Sequence, residues 1–204
     1  YTFDNFLVDH AMRNPPVRPG FWRGVNANQN AIYLECFMDE LAHAAGRDPL
    51  EFRLAHLKDS PNSQAVLKAV AEKSGWGADD GKSRGLCNFY SFGSYTAACA
   101  VDDDGNLKID RIVAATDPGY AVNPQQVEAQ VQGSFVYGLS AMLYGEITFE
   151  NGVAEQKNFD TFNSMRISEM PKVETLVMPS GGFWGGVGEP TIAVAAPAVL
   201  NAIY

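Results

Sequence analysis

Between Asn28 and Ala45, apolar residues Ala31, Leu34, Met38, Leu41, Ala42 and Ala45 recur at three- and four-residue steps, the spacing of one helical face. Gly46 supplies the left-handed cap that ends such a helix. The acids Glu35, Asp39 and Glu40 lack histidine partners for a metal site and are expected on an exposed polar face. Asp48-Pro49-Leu50-Glu51 reads as an N-cap, a first-turn proline and a capping-box acid, opening a second helix to about Lys58. A third runs from about Ser63 to Lys73 and stops at Gly75. Residues 76–85, rich in Gly, Asp and Ser, read as a connecting loop.

Beyond that loop the period changes from helix to strand. Leu86–Val101 and the alternating Leu107–Thr116 flank Asp102-Asp103-Asp104-Gly105-Asn106, so the pattern predicts a long antiparallel hairpin around a solvated turn. The aspartates lack the acid spacing and terminal glutamate of a calcium loop. Asn123-Pro124 then opens a helix whose apolar positions Val127, Val131, Phe135, Leu139 and Met142 keep the helical step. Gly133 and Gly138 inside it imply close approach of another backbone or a ligand, since glycine costs about 1 kcal/mol in a helix interior. Tyr144–Phe149 and Val153–Gln156 flank the hairpin turn Glu150-Asn151-Gly152. A short strand, Glu174–Met178, feeds a loop with five glycines in the eight residues 181–188. Residues 190–204, apolar on nearly every face, read as a buried helix. The fold class is therefore α+β: a mixed or antiparallel sheet with packed helices. One domain spans 1–204, with an irregular start and helices over 1–75, then hairpin, glycine-laced helix, active-site loop and terminal helix over 86–204.

Composition narrows the function classes. The chain has 204 residues, 46% of them hydrophobic, enough for one core. A net charge of −9 argues against nucleic acid and anionic membranes as partners. No run approaches the roughly 18 apolar residues of a membrane span, and Pro197 interrupts the tail 191–204. Cys36, Cys87 and Cys99 form no C-x-x-C and fit neither a zinc nor an iron–sulfur set, so free thiols are expected. The chain opens at Tyr1, so targeting is not legible.

The candidate chemistry sits at Gly185-Gly186-Val187-Gly188-Glu189-Pro190. Glycines let backbone come close to a ligand. A lone carboxylate between apolar neighbours can become a usable base, because burial raises its pKa. The alternative is a glycine turn with Glu189 as a favourable charge at a helix N-terminus.

Gly186-Val187-Gly188-Glu189-Pro190 with the following Thr-Ile-Ala-Val-Ala-Ala-Pro-Ala-Val-Leu-Asn-Ala-Ile resembles the C-terminal active-site signature of the molybdenum hydroxylases. That is the xanthine dehydrogenase and aldehyde oxidoreductase family, and the likeness is greatest to its isoquinoline 1-oxidoreductase branch. Phe21-Trp22-Arg23-Gly24 is similar to the aromatic-Arg-Gly loop of that family. Val122-Asn123-Pro124 with Gln130-Val131-Gln132-Gly133-Ser134-Phe135 is similar to its Asn-Pro…Gln-Val-Glu-Gly-x-Phe segment, with Gln132 in place of the glutamate.

The resemblance implies the C-terminal part of a molybdopterin-binding large subunit. In it, Glu189 is the general base of an oxidative hydroxylation that takes oxygen from water. Trp22, Arg23, Gly24, Gln130, Gly186, Val187 and Gly188 bind the cofactor, and Trp22 and Val25 border the substrate pocket. It implies molybdenum–molybdopterin, in cytosine dinucleotide form, with no side chain ligating the metal. Electrons leave to iron–sulfur clusters on a two-cluster small subunit. Val25 stands where xanthine-oxidising members carry a second aromatic, which points to an isoquinoline-type N-heterocycle or an aldehyde as substrate. The alternative is a non-catalytic assembly or binding domain. A piece of such a subunit is expected to be inactive by itself, without bound cofactor and prone to self-association. By the same resemblance the periplasm is favoured, with the cytoplasm left open.

Overall fold

The computed structural model describes residues 1–102 and 107–204. Residues 1–20 form no regular element. Helix α1 (Ala27–Ala44) is followed by α2 (Pro49–Ala55) and α3 (Pro61–Ser74). The Asp48 side chain accepts from the backbone N–H groups of Leu50 and Glu51, at 2.9 and 3.0 Å, and so opens α2 as its sequence requires. Gly46 and Gly75 take left-handed backbone angles after α1 and α3.

Strands β1 (Ser83–Ser91), β2 (Ser94–Asp102) and β3 (Ile109–Asp117) form an antiparallel meander. Helix α4 (Pro124–Tyr144) follows, with Asn123 accepting from Gln126 N–H at 3.2 Å as its N-cap. The two-residue strands β4 (Phe149–Glu150) and β5 (Val153–Ala154) pair across Asn151-Gly152, both at positive φ. Strand β6 (Lys172–Val177) returns beside β3 in parallel, giving a mixed sheet of order β1-β2-β3-β6. Two short helices close the chain, α5 (Pro190–Ala193) and α6 (Ala195–Ile203).

The sheet is buried on both faces. Leu86, Ala97, Cys99, Val113 and Ala115 pack with Val66, Leu67 and Val70 of α3. Cys87, Ala98, Ala100, Ile112 and Ala114 meet Val131, Phe135 and Leu139 of α4 and Ala198 and Val199 of α6 on the other side. The run of small residues in β2 therefore reads as continuous burial rather than alternation. Gly138 allows α4 to meet the closing helices: a Cβ there would lie 2.9 Å from that of Ala195.

Three expectations are corrected. The stretch 86–101 is not one arm of a hairpin; it is divided between β1 and β2 by a two-residue turn. Phe92 and Gly93 sit there at φ +53° and +77°. The turn expected over 102–106 lies, apart from Asp102, outside the described residues. That aspartate is buried at the end of β2 rather than solvated. The terminal helix breaks at Val194, because Pro197 has no N–H to offer the Ala193 carbonyl one turn back.

A fourth correction concerns the acids of α1. Glu40 is exposed, but Glu35 and Asp39 are buried, and both accept from the fully buried guanidinium of Arg53 in α2. Helical spacing shows which side of α1 is apolar; it cannot show that a cation from another helix waits opposite the acids.

All three cysteines are free. Burial pushes the Cys36 and Cys99 thiols up to about 11, and Glu35 adds to the effect at Cys36. Burial likewise raises Cys87 well above its ordinary value. Thiolates are the reactive species, so the folded chain at pH 8 is expected to react slowly with a disulfide reagent. All 3 thiols should become reactive only in denaturant; rapid stoichiometric labelling of the folded chain would contradict this.

Candidate functional site

Residues 20–28 make a tight turn into α1. Val25 N–H donates to Trp22 O at 3.0 Å, and Ala27 N–H to Gly24 O at 3.1 Å. The Asn28 side-chain amide closes the turn by donating to Arg23 O at 2.9 Å and Val25 O at 3.3 Å. Gly24 is required twice over. Its φ is +92°, and a Cβ would fall 2.4 Å from the Asn28 side-chain oxygen. Val25 is held at φ +46°, a conformation that a β-branched residue keeps only when its surroundings impose it.

The glycine loop is fastened from the opposite side. Buried Asp117, at the end of β3, accepts through Oδ1 from Gly119 N–H (2.9 Å) and Ser180 N–H (3.1 Å). Asn62 of α3 donates to its Oδ2 at 3.0 Å. Gly181 N–H donates to Gly119 O, Gly185 N–H to Pro118 O and Gly186 N–H to Phe92 O, at 2.7–2.8 Å. Ser94 Oγ donates to Gly186 O at 2.6 Å. Both polar backbone groups of Gly186 are thus taken by protein, which sets this residue in the loop's foundation.

Arg23 joins the two loops to α4. Its Nε donates to Gly188 O at 2.7 Å, and its Nη2 to Gln130 Oε1 at 2.9 Å and Ser134 Oγ at 3.2 Å. A second, shorter contact runs from Nη2 to Gly188 O. Glu189 is half-buried, and its Oε1 accepts from Gly24 N–H at 3.0 Å. Among the described residues Glu189 Oε2 and Gln130 Nε2 have no hydrogen-bond partner. One carboxylate oxygen is anchored while the other stays available to take a proton, and the amide nitrogen stays available to donate.

The residues singled out by sequence therefore assemble, with a division. Arg23, Gly24, Gln130, Gly188 and Glu189 form one hydrogen-bonded cluster. Trp22 stacks on Tyr137 of α4, rings 4.6 Å apart and 17° from parallel. Gln130, Val187 and Gly188 line a hollow of about 850 Å³ with Tyr120 and Trp184. Trp22 and Val25 line a different one of about 500 Å³ with Gly138, Met142, Ile192 and Ala196.

Asn28, Asp117, Ser134 and Tyr137 were not singled out from sequence. The last two carried a signal: Gln130, Ser134 and Tyr137 follow at four and three residues and so share a helix face. Of the partners of Asp117 only Gly119 is local; Asn62 and Ser180 come from two distant segments that the sequence does not bring together.

Among the described residues no group of three or more His, Cys, Asp or Glu could hold a metal ion. Nor is any described helix long and apolar enough to cross a membrane.

The sequence model of the molybdopterin cofactor-binding domain family matches residues 26–171, which include Gln130 but neither Arg23 nor Glu189. A nicotinate dehydrogenase chain of Pseudomonas putida is 30% identical over 228 aligned positions, covering 100% of this chain and 19% of that protein. The beta chain of isoquinoline 1-oxidoreductase from Brevundimonas diminuta is 30% identical over 191 positions, covering 89% of this chain and 24% of the relative. The chain thus spans about a fifth to a quarter of the length of these relatives. The solved structure of aldehyde oxidoreductase from Desulfovibrio gigas superposes with a TM-score of 0.59 at 13% identity. It covers 90% of this chain and 39% of that one, a likeness of fold.

Proposed function

The chain belongs to the molybdopterin cofactor-binding domain family, and we propose that it forms part of the catalytic subunit of a molybdenum hydroxylase. In this reading the subunit hydroxylates an electron-poor carbon of an N-heterocycle or an aldehyde, with water as oxygen source. The observation that carries it is the half-engaged Glu189 carboxylate, anchored by Gly24 N–H beside a glutamine amide with a free donor.

The residues fit the implied cofactor. Gln130 lines the hollow together with Val187 and Gly188, and no described residue accepts from its Nε2. Arg23 brings a cation that has no carboxylate within ion-pair distance among the described residues, as suits an anionic group nearby. When bound, the molybdenum–pterin group, proposed in its cytosine dinucleotide form, supplies the two-electron redox chemistry. The chain's own part is narrower. Glu189 takes a proton at Oε2, Gln130 and Gly188 position, and the hollow beside Trp22 and Val25 admits the substrate. Electrons are proposed to pass to an iron–sulfur partner subunit. The isolated chain, a fraction of its relatives' length, is proposed to hold no cofactor.

Molybdenum and pterin analysis of the purified full-length complex tests this reading. Near-stoichiometric content supports it; its absence turns the choice to an assembly or binding domain that keeps the fold without the chemistry. The substrate class has its own test. Val25 offers an aliphatic surface where an aromatic would add stacking worth about 0.5–1.5 kcal/mol. N-heterocycles or aldehydes are therefore expected to exceed xanthine in kcat/KM. A value for xanthine above both classes would contradict the assignment.

A further inference from the structure

We propose that Arg23 is a positioning residue: its guanidinium fixes the Gln130 side-chain amide so that a hydrogen-bond donor is presented to the hollow lined by Gln130, Val187 and Gly188. The inference rests on reading that hollow as the cofactor side of the site.

Arginine carries donors and no acceptor. The Gln130 atom 2.9 Å from Arg23 Nη2 is therefore the amide oxygen, and the two N–H bonds of Nε2 are turned elsewhere. Nothing among the described residues accepts them. Without Arg23 the amide could present oxygen or nitrogen, and ordering it would fall to the ligand. The guanidinium is itself fixed. Nε is held by Gly188 O at 2.7 Å and Nη2 also reaches Ser134 Oγ at 3.2 Å, while Ser134 Oγ donates to Gln130 O at 2.8 Å. One planar fork thus ties a loop near the start of the chain, one face of α4 and the residue before Glu189. Its acceptors among the described residues are all neutral, so its effect on Gly188, Gln130 and Ser134 is to orient them. A lysine ammonium could reach these acceptors, but it lacks the rigid plane through which the Nε bond to Gly188 O fixes Nη2 against Gln130, so it would not hold the amide in one orientation.

The test uses the intact full-length complex and reads molybdenum and pterin content together with the Mo(V) EPR signal and the melting temperature. Arg23→Lys and Gln130→Ala are each expected to lower cofactor content or kcat by about tenfold, the usual scale for groups that orient a metal centre from outside it. The double variant should lie within about twofold of either single, because both remove the same oriented donor. Gln130→Glu keeps an acceptor for Arg23 and removes the donor, so it should lose cofactor as Gln130→Ala does, at unchanged melting temperature. Wild-type content, EPR signal and kcat together in Arg23→Lys or Gln130→Glu overturn the assignment. So does a double variant whose loss is the product of the two singles. A wild-type complex without molybdenum and pterin sinks the reading of the preceding subsection and this one with it.

Discussion

Replacing Glu189 by glutamine in the full-length enzyme is expected to lower kcat by at least about 10²-fold, or about 2.7 kcal/mol of barrier. The replacement leaves the shape of the site nearly unchanged. The glutamine oxygen can still accept from Gly24 N–H, which is 3.0 Å from Glu189 Oε1. What changes is the unengaged atom, which becomes an NH₂ that can donate but cannot take a proton. Cofactor content and melting temperature should therefore hold while turnover collapses. The competing view of Glu189 as a helix-terminal charge loses support from the structure. Helix α5 has only 4 residues, and Glu189 makes no side-chain cap bond to it. The carboxylate bonds instead to a loop 165 residues away. A Gln variant with near wild-type kcat in a molybdenum-replete enzyme would remove Glu189 from the chemistry.

What was legible in the sequence is what is decided locally. Asp48 and Asn123 cap helices because their oxygens reach N–H groups two or three residues on. Asn151-Gly152 turns a hairpin because both residues tolerate positive φ. Phe92-Gly93 does the same work and escaped notice, since phenylalanine gives no such signal. The pairing of β3 with β6 joins segments more than fifty residues apart, and only the finished sheet shows it to be parallel. The site followed the same division. Resemblance could place Arg23, Gln130 and Glu189 near a cofactor. It could not show that the Arg23 side chain is spent on Gly188, Gln130 and Ser134, a fact of three segments meeting. Glu35 and Asp39 make the point most sharply, being buried acids on α1 whose shared cation, Arg53, comes from another helix.

That pairing yields the largest expected loss of stability. Arg53 is fully buried; its Nε donates to Glu35 Oε2 at 3.0 Å, its Nη1 to Asp39 Oδ1 at 2.7 Å, and its Nη2 to Glu35 O at 2.9 Å. Glu35 also accepts from Tyr1 OH at 2.6 Å and Asn88 N–H at 3.0 Å, while Asn201 of α6 donates to its backbone carbonyl at 3.3 Å. The cluster therefore binds α1, α2, β1 and α6 together. Removing one partner of a buried ion pair leaves an uncompensated charge, at a cost of about 3–5 kcal/mol. Arg53→Ala should lower stability by that amount at pH 7, read from the urea midpoint. Arg53→Met, which restores apolar volume but no charge, should recover little.

The pH dependence of the loss separates charge from packing. Burial holds the Glu35 carboxyl above its usual range, against the opposing pull of Arg53, Tyr1 and Asn88. Deleting Arg53 removes the largest of those pulls and raises it further. A carboxyl raised in the folded state binds its proton more tightly there than in the unfolded chain, where its value is about 4.3. Stability from this group is then fully present below that value and is lost as pH rises through the folded value. The deficit of Arg53→Ala should accordingly shrink between pH 7 and pH 5. A deficit that stays constant over this range would mean that lost packing, and not an unpaired buried carboxylate, accounts for the damage.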